Sequence, residues 1–239
     1  MTGSSSAERA SVGDGPDDSV RYYKRDFWSK ENLKYAKPHY RLEKTSKIIN
    51  RVGRGRECSL FDVGCGPATL RRLLTPNIQY FGADIAIQEP APYLLEADFV
   101  EGPIRFGDRK FDIVLAQGFF EYIGEHQAEK FAEIAEIIKP GGIFVATYVN
   151  FGHRDREIYW PYSNVQPFAD FRESISARFE VRRYFPTSHN WRHGEPNRPG
   201  IRDANMHINM NVPLISQRLA VEYFLICRPR PDSPRVAGE

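Results

Sequence analysis

Between Leu60 and Leu70 the chain reads Leu-Phe-Asp-Val-Gly-Cys-Gly-Pro-Ala-Thr-Leu, an apolar strand that runs into a glycine turn, with a helix expected to follow. A second apolar strand comes next and closes on Asp84. Glycine lets the backbone turn tightly and lets a ligand approach without a Cβ in the way. A carboxylate at the end of the following strand can accept two hydrogen bonds from ribose hydroxyls, so the two features together predict a socket for a nucleoside-bearing cofactor. The alternation continues downstream, with strands expected near 59–63, 79–84, 93–97, 111–117 and 143–149. Phe131, Ile134, Ile137 and Ile138 make the apolar stripe of a helix that Lys139-Pro140-Gly141-Gly142 should end. Alternating strands and helices imply an α/β, Rossmann-like, doubly wound fold: a mostly parallel sheet, helices on both faces, and ligands at the carboxyl ends of the strands.

Which nucleoside is bound turns on two details. A dinucleotide fingerprint started at Gly64 would need glycine or alanine at position 69, where Thr69 stands, and a pyrophosphate must sit on the helix N-terminus that follows. This weakens the alternative of an NAD(P)-dependent oxidoreductase. By contrast, Phe61-Asp62-Val63-Gly64-Cys65-Gly66 followed by Pro67 resembles the first motif of class I S-adenosylmethionine-dependent methyltransferases of the small-molecule type. The resemblance recurs in order over roughly residues 55–150. Asp84 stands where that family keeps its ribose-binding acid, with Ile85 beside it, and Ala97-Asp98-Phe99 resembles its adenine-contacting segment. Phe111 to Gln117 resembles its fourth strand and Ile138 to Gly142 its turn before the fifth. The stretches 180–185 and 221–227 resemble its terminal antiparallel pair, which makes the final strand antiparallel. One departure is that Ala68 replaces a usual third glycine, which implies a slightly altered loop and leaves a non-catalytic, methyltransferase-like binding protein as a further alternative.

Charge and composition bound the partners. The 239 residues carry 33 Lys and Arg against 31 Asp and Glu, a net +2, with no dense basic stripe, so a nucleic acid held by its phosphates is not expected. No apolar stretch is long enough for a membrane span and no secretory signal opens the chain, so the expected location is the cytoplasm. Cys58, Cys65 and Cys227 are odd in number and widely spaced, which fits reduced thiols and neither a disulfide framework nor a metal site. The oligomeric state is left open by the sequence.

The chain divides into a disordered tail at 1–17, a helical lead-in or lid at 18–54 broken at Lys37-Pro38, a methyltransferase domain at 55–228, and a disordered tail at 229–239. Acceptor-site insertions are expected near 151–171 and 186–218, the second far longer than a hairpin needs. Cofactor contacts are expected from Asp62, Gly64, Cys65, Gly66, Asp84, Ile85, Asp98, Phe99 and Gln117, with Tyr23 and Arg41 reaching in from the lead-in. In the resembling family the acid at Asp62 stands near the methionine amino group, and Arg41 could pair with the cofactor carboxylate. The lead-in aromatics Tyr22, Tyr23, Phe27, Trp28, Tyr35 and Tyr40 read as core packing or as a cover over cofactor and acceptor. A hydroxyl acceptor would need a base, and His153, just beyond the fifth strand, is the best-placed candidate, with His189, His193 and His207 in the late loop as others. The expected acceptor is a small molecule, ring-bearing or glycosylated, such as a secondary metabolite, methylated on oxygen or nitrogen.

Overall fold

The computed structural model of the protein describes residues 25–150, 166–190, 205–206, 212 and 214–231. Five strands come first along the chain: β1 (Cys58–Val63), β2 (Ile78–Asp84), β3 (Leu94–Glu96), β4 (Phe111–Ala116) and β5 (Ile138–Val149). They pair in parallel, and β6 (Phe179–Asn190), β7 (Asn205–Met206) and β8 (Ala220–Pro229) add antiparallel neighbours. The resulting sheet has the order β3-β2-β1-β4-β5-β8-β6-β7, so the winding reverses between β1 and β4. A crevice opens at such a reversal, outside the carboxyl ends of the strands.

Side chains alternate across a strand, and the sequence places large apolar residues at successive positions so that both faces are covered. Phe61, Phe111, Val114 and Phe144 lie on one face, under Phe131 and Ile134 of α3 (Gln127–Ile137) and Phe171 and Ile175 of α4 (Phe168–Ser176). Leu60, Ile113, Leu115 and Val145 lie on the other, under Ile49 of α2 (Tyr40–Val52). Two shorter α-helices are α1 (Arg25–Glu31) in the lead-in and α5 (Ile215–Leu219) before β8. The lead-in breaks at Lys37-Pro38 as expected, and α3 stops at Ile137.

Three expectations need correction. The helix after the glycine turn is only a 3-10 turn over Thr69–Leu73, and Pro67 lies outside it. Ala68 has φ +52, in the left-handed region, which delays the helix, and the turn ends at Leu73, with Leu74 already extended ahead of Thr75-Pro76. Ala68 thus holds the conformation that the missing glycine would adopt, at a cost of roughly 1–2 kcal/mol. Second, residues 186–190, expected in the late loop, belong to β6 and pair with β8. Third, Phe168 and Phe171, placed by the sequence in an acceptor insertion, are core residues: Phe171 stacks on Tyr148 with centroids 3.7 Å apart and Phe168 on Tyr223 at 4.2 Å. The stack fixes α4 to β5. Phe171→Ala should therefore cost about 3–5 kcal/mol of stability. A denaturant titration that shows a loss below about 1 kcal/mol would mean that α4 is not part of the cooperative core.

Candidate active site

A cleft of about 1120 Å³, counted out to its open mouth, lies at the carboxyl ends of β1, β2 and β4. Its floor is the glycine turn. The N–H groups of Gly64 and Cys65 donate to the Ala83 carbonyl at 2.8 and 3.1 Å, so the turn stays stitched to the end of β2. Gly64 has φ +72, and a Cβ there would sit 3.2 Å from the Phe119 ring. A side chain at this position would therefore be strained and would intrude on the cleft.

Asp84 ends β2 and is buried. One carboxylate oxygen accepts the Gly66 N–H at 2.8 Å, and the other accepts the Ala86 N–H at 3.0 Å and the Asn32 side-chain amide at 3.1 Å. Burial pushes its pKa up, and these donors oppose the shift. Asp62, on β1, accepts the Tyr80 hydroxyl at 2.8 Å. Burial pushes Asp62 up to about 7, with the Tyr80 bond working against the shift and the Asp84 charge adding to it. Tyr80 and Cys65 are both raised by burial, so phenol and thiol stay neutral. Gly82, facing Asp62 in the β1 and β2 register, makes this packing feasible, since a Cβ on it would lie 2.8 Å from Cys65 Sγ and 2.9 Å from the Tyr80 hydroxyl.

The remaining walls come from β3, β4 and the lead-in. Ile85, Asp98 and Phe99 line one end of the cleft, where Asp98 accepts the Val100 N–H at 2.9 Å and Phe99 packs edge-on to Phe119. Gln117 and Arg41 line the other end. Gln117 accepts the Thr45 hydroxyl at 3.1 Å, and Arg41 pairs with Glu222 of β8 at 3.1 Å. Gln117 Nε2 and Arg41 Nε are buried donors without a protein partner. Trp28, Asn32, Tyr35 and His39 close the cleft from the lead-in side. Thr69 donates to the Tyr35 carbonyl at 2.7 Å, which fastens that cover to the turn and occupies the position where a dinucleotide site needs a small residue.

The structure thus brings together around one cleft Arg41, Asp62, Gly64, Cys65, Gly66, Asp84, Ile85, Asp98, Phe99 and Gln117. Tyr23, His153, His193 and His207 lie outside the described residues. His189 is corrected: it is fully buried in β6, hydrogen-bonded to the Ser216 hydroxyl at 2.9 Å, because the strand runs through a stretch that the sequence presented as loop. Asn32, Tyr80 and Glu121 went unnoticed in the sequence. Tyr80 could have been found by strand alternation, two residues from Gly82 in β2, whereas no local signal marks Asn32. Among the described residues no group of His, Cys, Asp or Glu could hold a metal ion, and no helix is long and apolar enough to cross a membrane.

Comparison with known proteins shows what the chain is similar to. Residues 61–146 match the methyltransferase domain family. No curated protein sequence matches the chain. Among solved structures, an S-adenosylmethionine-dependent methyltransferase from Clostridium acetobutylicum is 12% identical, with a TM-score of 0.55, covering 83% of this chain and 95% of the other. One from Archaeoglobus fulgidus is 16% identical with a TM-score of 0.56, covering 79% and 92%. The CcbJ methyltransferase from Streptomyces caelestis is 10% identical with a TM-score of 0.56, covering 81% and 91%. These likenesses are of fold. Together with the domain match over residues 61–146, they make this part of the chain similar to a class I S-adenosylmethionine-dependent methyltransferase domain.

Asp84→Ala is expected to lower stability by about 1–3 kcal/mol even without ligand, because the Gly66 and Ala86 N–H groups lose their acceptor. Urea unfolding checks this. An unchanged midpoint would mean that Asp84 is not the clasp of the turn.

Proposed function

We propose that the chain moves a methyl group from S-adenosylmethionine to an oxygen or nitrogen atom of a small-molecule acceptor, and that the cleft over the glycine turn is where this happens. The observation that carries the reading is the buried Asp84 carboxylate, clasped to the turn at the winding reversal and lining the cleft. A carboxylate in that position is suited to ribose hydroxyls. Ile85, Asp98 and Phe99 would receive the adenine, Asp62 the ammonium of the methionine end, and the unpartnered donors of Arg41 and Gln117 its carboxylate. Gly64, Cys65 and Gly66 would let the cofactor lie against the backbone.

When bound, the sulfonium supplies an activated methyl and a neutral leaving group, so the protein's work is mostly alignment. Positioning of this sort can be worth roughly 7–11 kcal/mol. The lead-in supports the part of a cover over the cleft. Arg25 pairs with Glu96 at 3.0 Å, Gln88 donates to the Ser29 carbonyl at 2.8 Å, and Asn32 reaches Asp84, so this segment is fastened across the rim. The aromatic lining of Trp28, Tyr35, Phe119 and Tyr122 supports a ring-bearing or glycosylated acceptor, as in natural-product metabolism in the cytoplasm. His153, a candidate base, awaits its own test by substitution.

The pH dependence of binding follows from Asp62. In the free chain its carboxyl holds a proton below about 7. A ligand ammonium favours the ionised form, so each binding event below that pH must expel a proton, and affinity should weaken by about tenfold per pH unit as the pH falls. Calorimetry with S-adenosylhomocysteine is expected to show this slope and its flattening above neutrality, with Asp62→Asn binding weakly and without the slope. Parental affinity in Asp62→Asn would move the amino group elsewhere. Absence of any binding would defeat the reading.

A further inference from the structure

Building on the methyl-transfer reading above, we propose that Asn32, from the lead-in, binds the ribose together with Asp84: one ribose hydroxyl donates to Asp84 and the other to the side-chain carbonyl of Asn32. Asn32 opens the 3-10 turn Asn32–Tyr35, lines the cleft and is 3% exposed. Its amide nitrogen donates to Asp84 Oδ1 at 3.1 Å and to the Ala86 carbonyl at 3.3 Å. A carboxylate and a carbonyl can only accept, so the nitrogen must face them and the amide oxygen must face away.

That oxygen lies over the glycine turn. Asn32 Oδ1 is 3.5 Å from where a Cβ on Gly66 would stand, and no donor among the described residues reaches it. Gly66 and Asn32 both line the cleft, and the missing Cβ leaves the oxygen uncovered between them. An acceptor in a buried side chain is costly without a donor, so a ligand hydroxyl placed there meets what the fold leaves unmet.

The acceptor sites on Asp84 call for this second residue. A carboxylate offers about four lone-pair sites. Oδ1 already takes the Ala86 N–H and the Asn32 amide, and Oδ2 takes the Gly66 N–H, which leaves room for about one more donor. A ribose presents a pair of adjacent hydroxyls, each with a proton to place. With the ribose seated on Asp84, one proton goes to Oδ2 and the other to Asn32 Oδ1, and no bond of the existing network is broken. The lead-in thereby becomes part of the ribose site. Its position is held from the glycine turn side, where Thr69 donates to the Tyr35 carbonyl at 2.7 Å and Arg72 to the Ala36 carbonyl at 3.0 Å.

The test is calorimetry on the full chain with S-adenosylhomocysteine and its 2′-deoxy and 3′-deoxy analogues as probes. The parental chain should bind each analogue about threefold to tenfold more weakly, the range of a net hydrogen bond. Asn32→Leu keeps the size of the side chain but carries neither donor nor acceptor, so it should lose the preference for one hydroxyl and keep the preference for the other. If Asn32 served only to hold Asp84, both preferences would shrink together. That outcome overturns the proposal, as do both preferences kept in Asn32→Leu or a parental chain indifferent to either hydroxyl. A crystal of the parental chain with S-adenosylhomocysteine gives a readout that needs no variant: a ribose hydroxyl within hydrogen-bond reach of Asn32 Oδ1 is expected, and a ribose that leaves this oxygen untouched overturns the proposal. Failure of S-adenosylhomocysteine to bind at all would count against the methyl-transfer reading, and its binding without these preferences against this one alone.

Discussion

The Asp84 carboxylate is the clasp on which the site depends. It joins the glycine turn through Gly66, the end of β2 through Ala86, and the lead-in through Asn32. The Ala86 and Asn32 donors are buried, and an unmet buried donor is expensive. The clasp therefore sets the shape of the floor and the position of the cover together. It also leaves the acid lining the cleft.

A second constraint is electrostatic. Three buried carboxyl groups, Asp62, Asp84 and Glu121, lie around the crevice end of the sheet, each pushed upward by burial. They are expensive to keep there without cationic or hydrogen-bonding ligands. Tyr80 relieves Asp62 in part, backbone donors relieve Asp84, and the Val149 N–H is bonded to one oxygen of Glu121. The Asp112 carboxyl at the other end of β4 is instead matched by Lys139 at 2.8 Å and held down to about 2.

What could be read from the sequence was whatever is local. The turn at Gly64 and Gly66 and the acid at Asp84 follow from backbone chemistry, the positions of Ile85, Asp98, Phe99 and Gln117 from the resemblance of motifs, and all of them line the cleft. Contacts between distant segments were not legible. Asn32 meets Asp84 across 52 residues and Arg41 meets Glu222 across 181, and neither partner carries a signal of the other. The helix after the turn was misjudged because Ala68 adopts a left-handed conformation that alanine rarely takes, so its type gave no warning. His189 misled for a related reason: a polar run, Thr187-Ser188-His189, reads as loop, yet all three side chains are buried in β6 against their hydrogen-bond partners.

The account is tested most directly by a crystal structure with S-adenosylhomocysteine. It predicts ribose hydroxyls on the Asp84 carboxylate, the adenine between Ile85 and Phe99, and the amino-acid end against Asp62, Arg41 and Gln117. A ligand seated anywhere else, or a ribose that leaves Asp84 untouched, would contradict it.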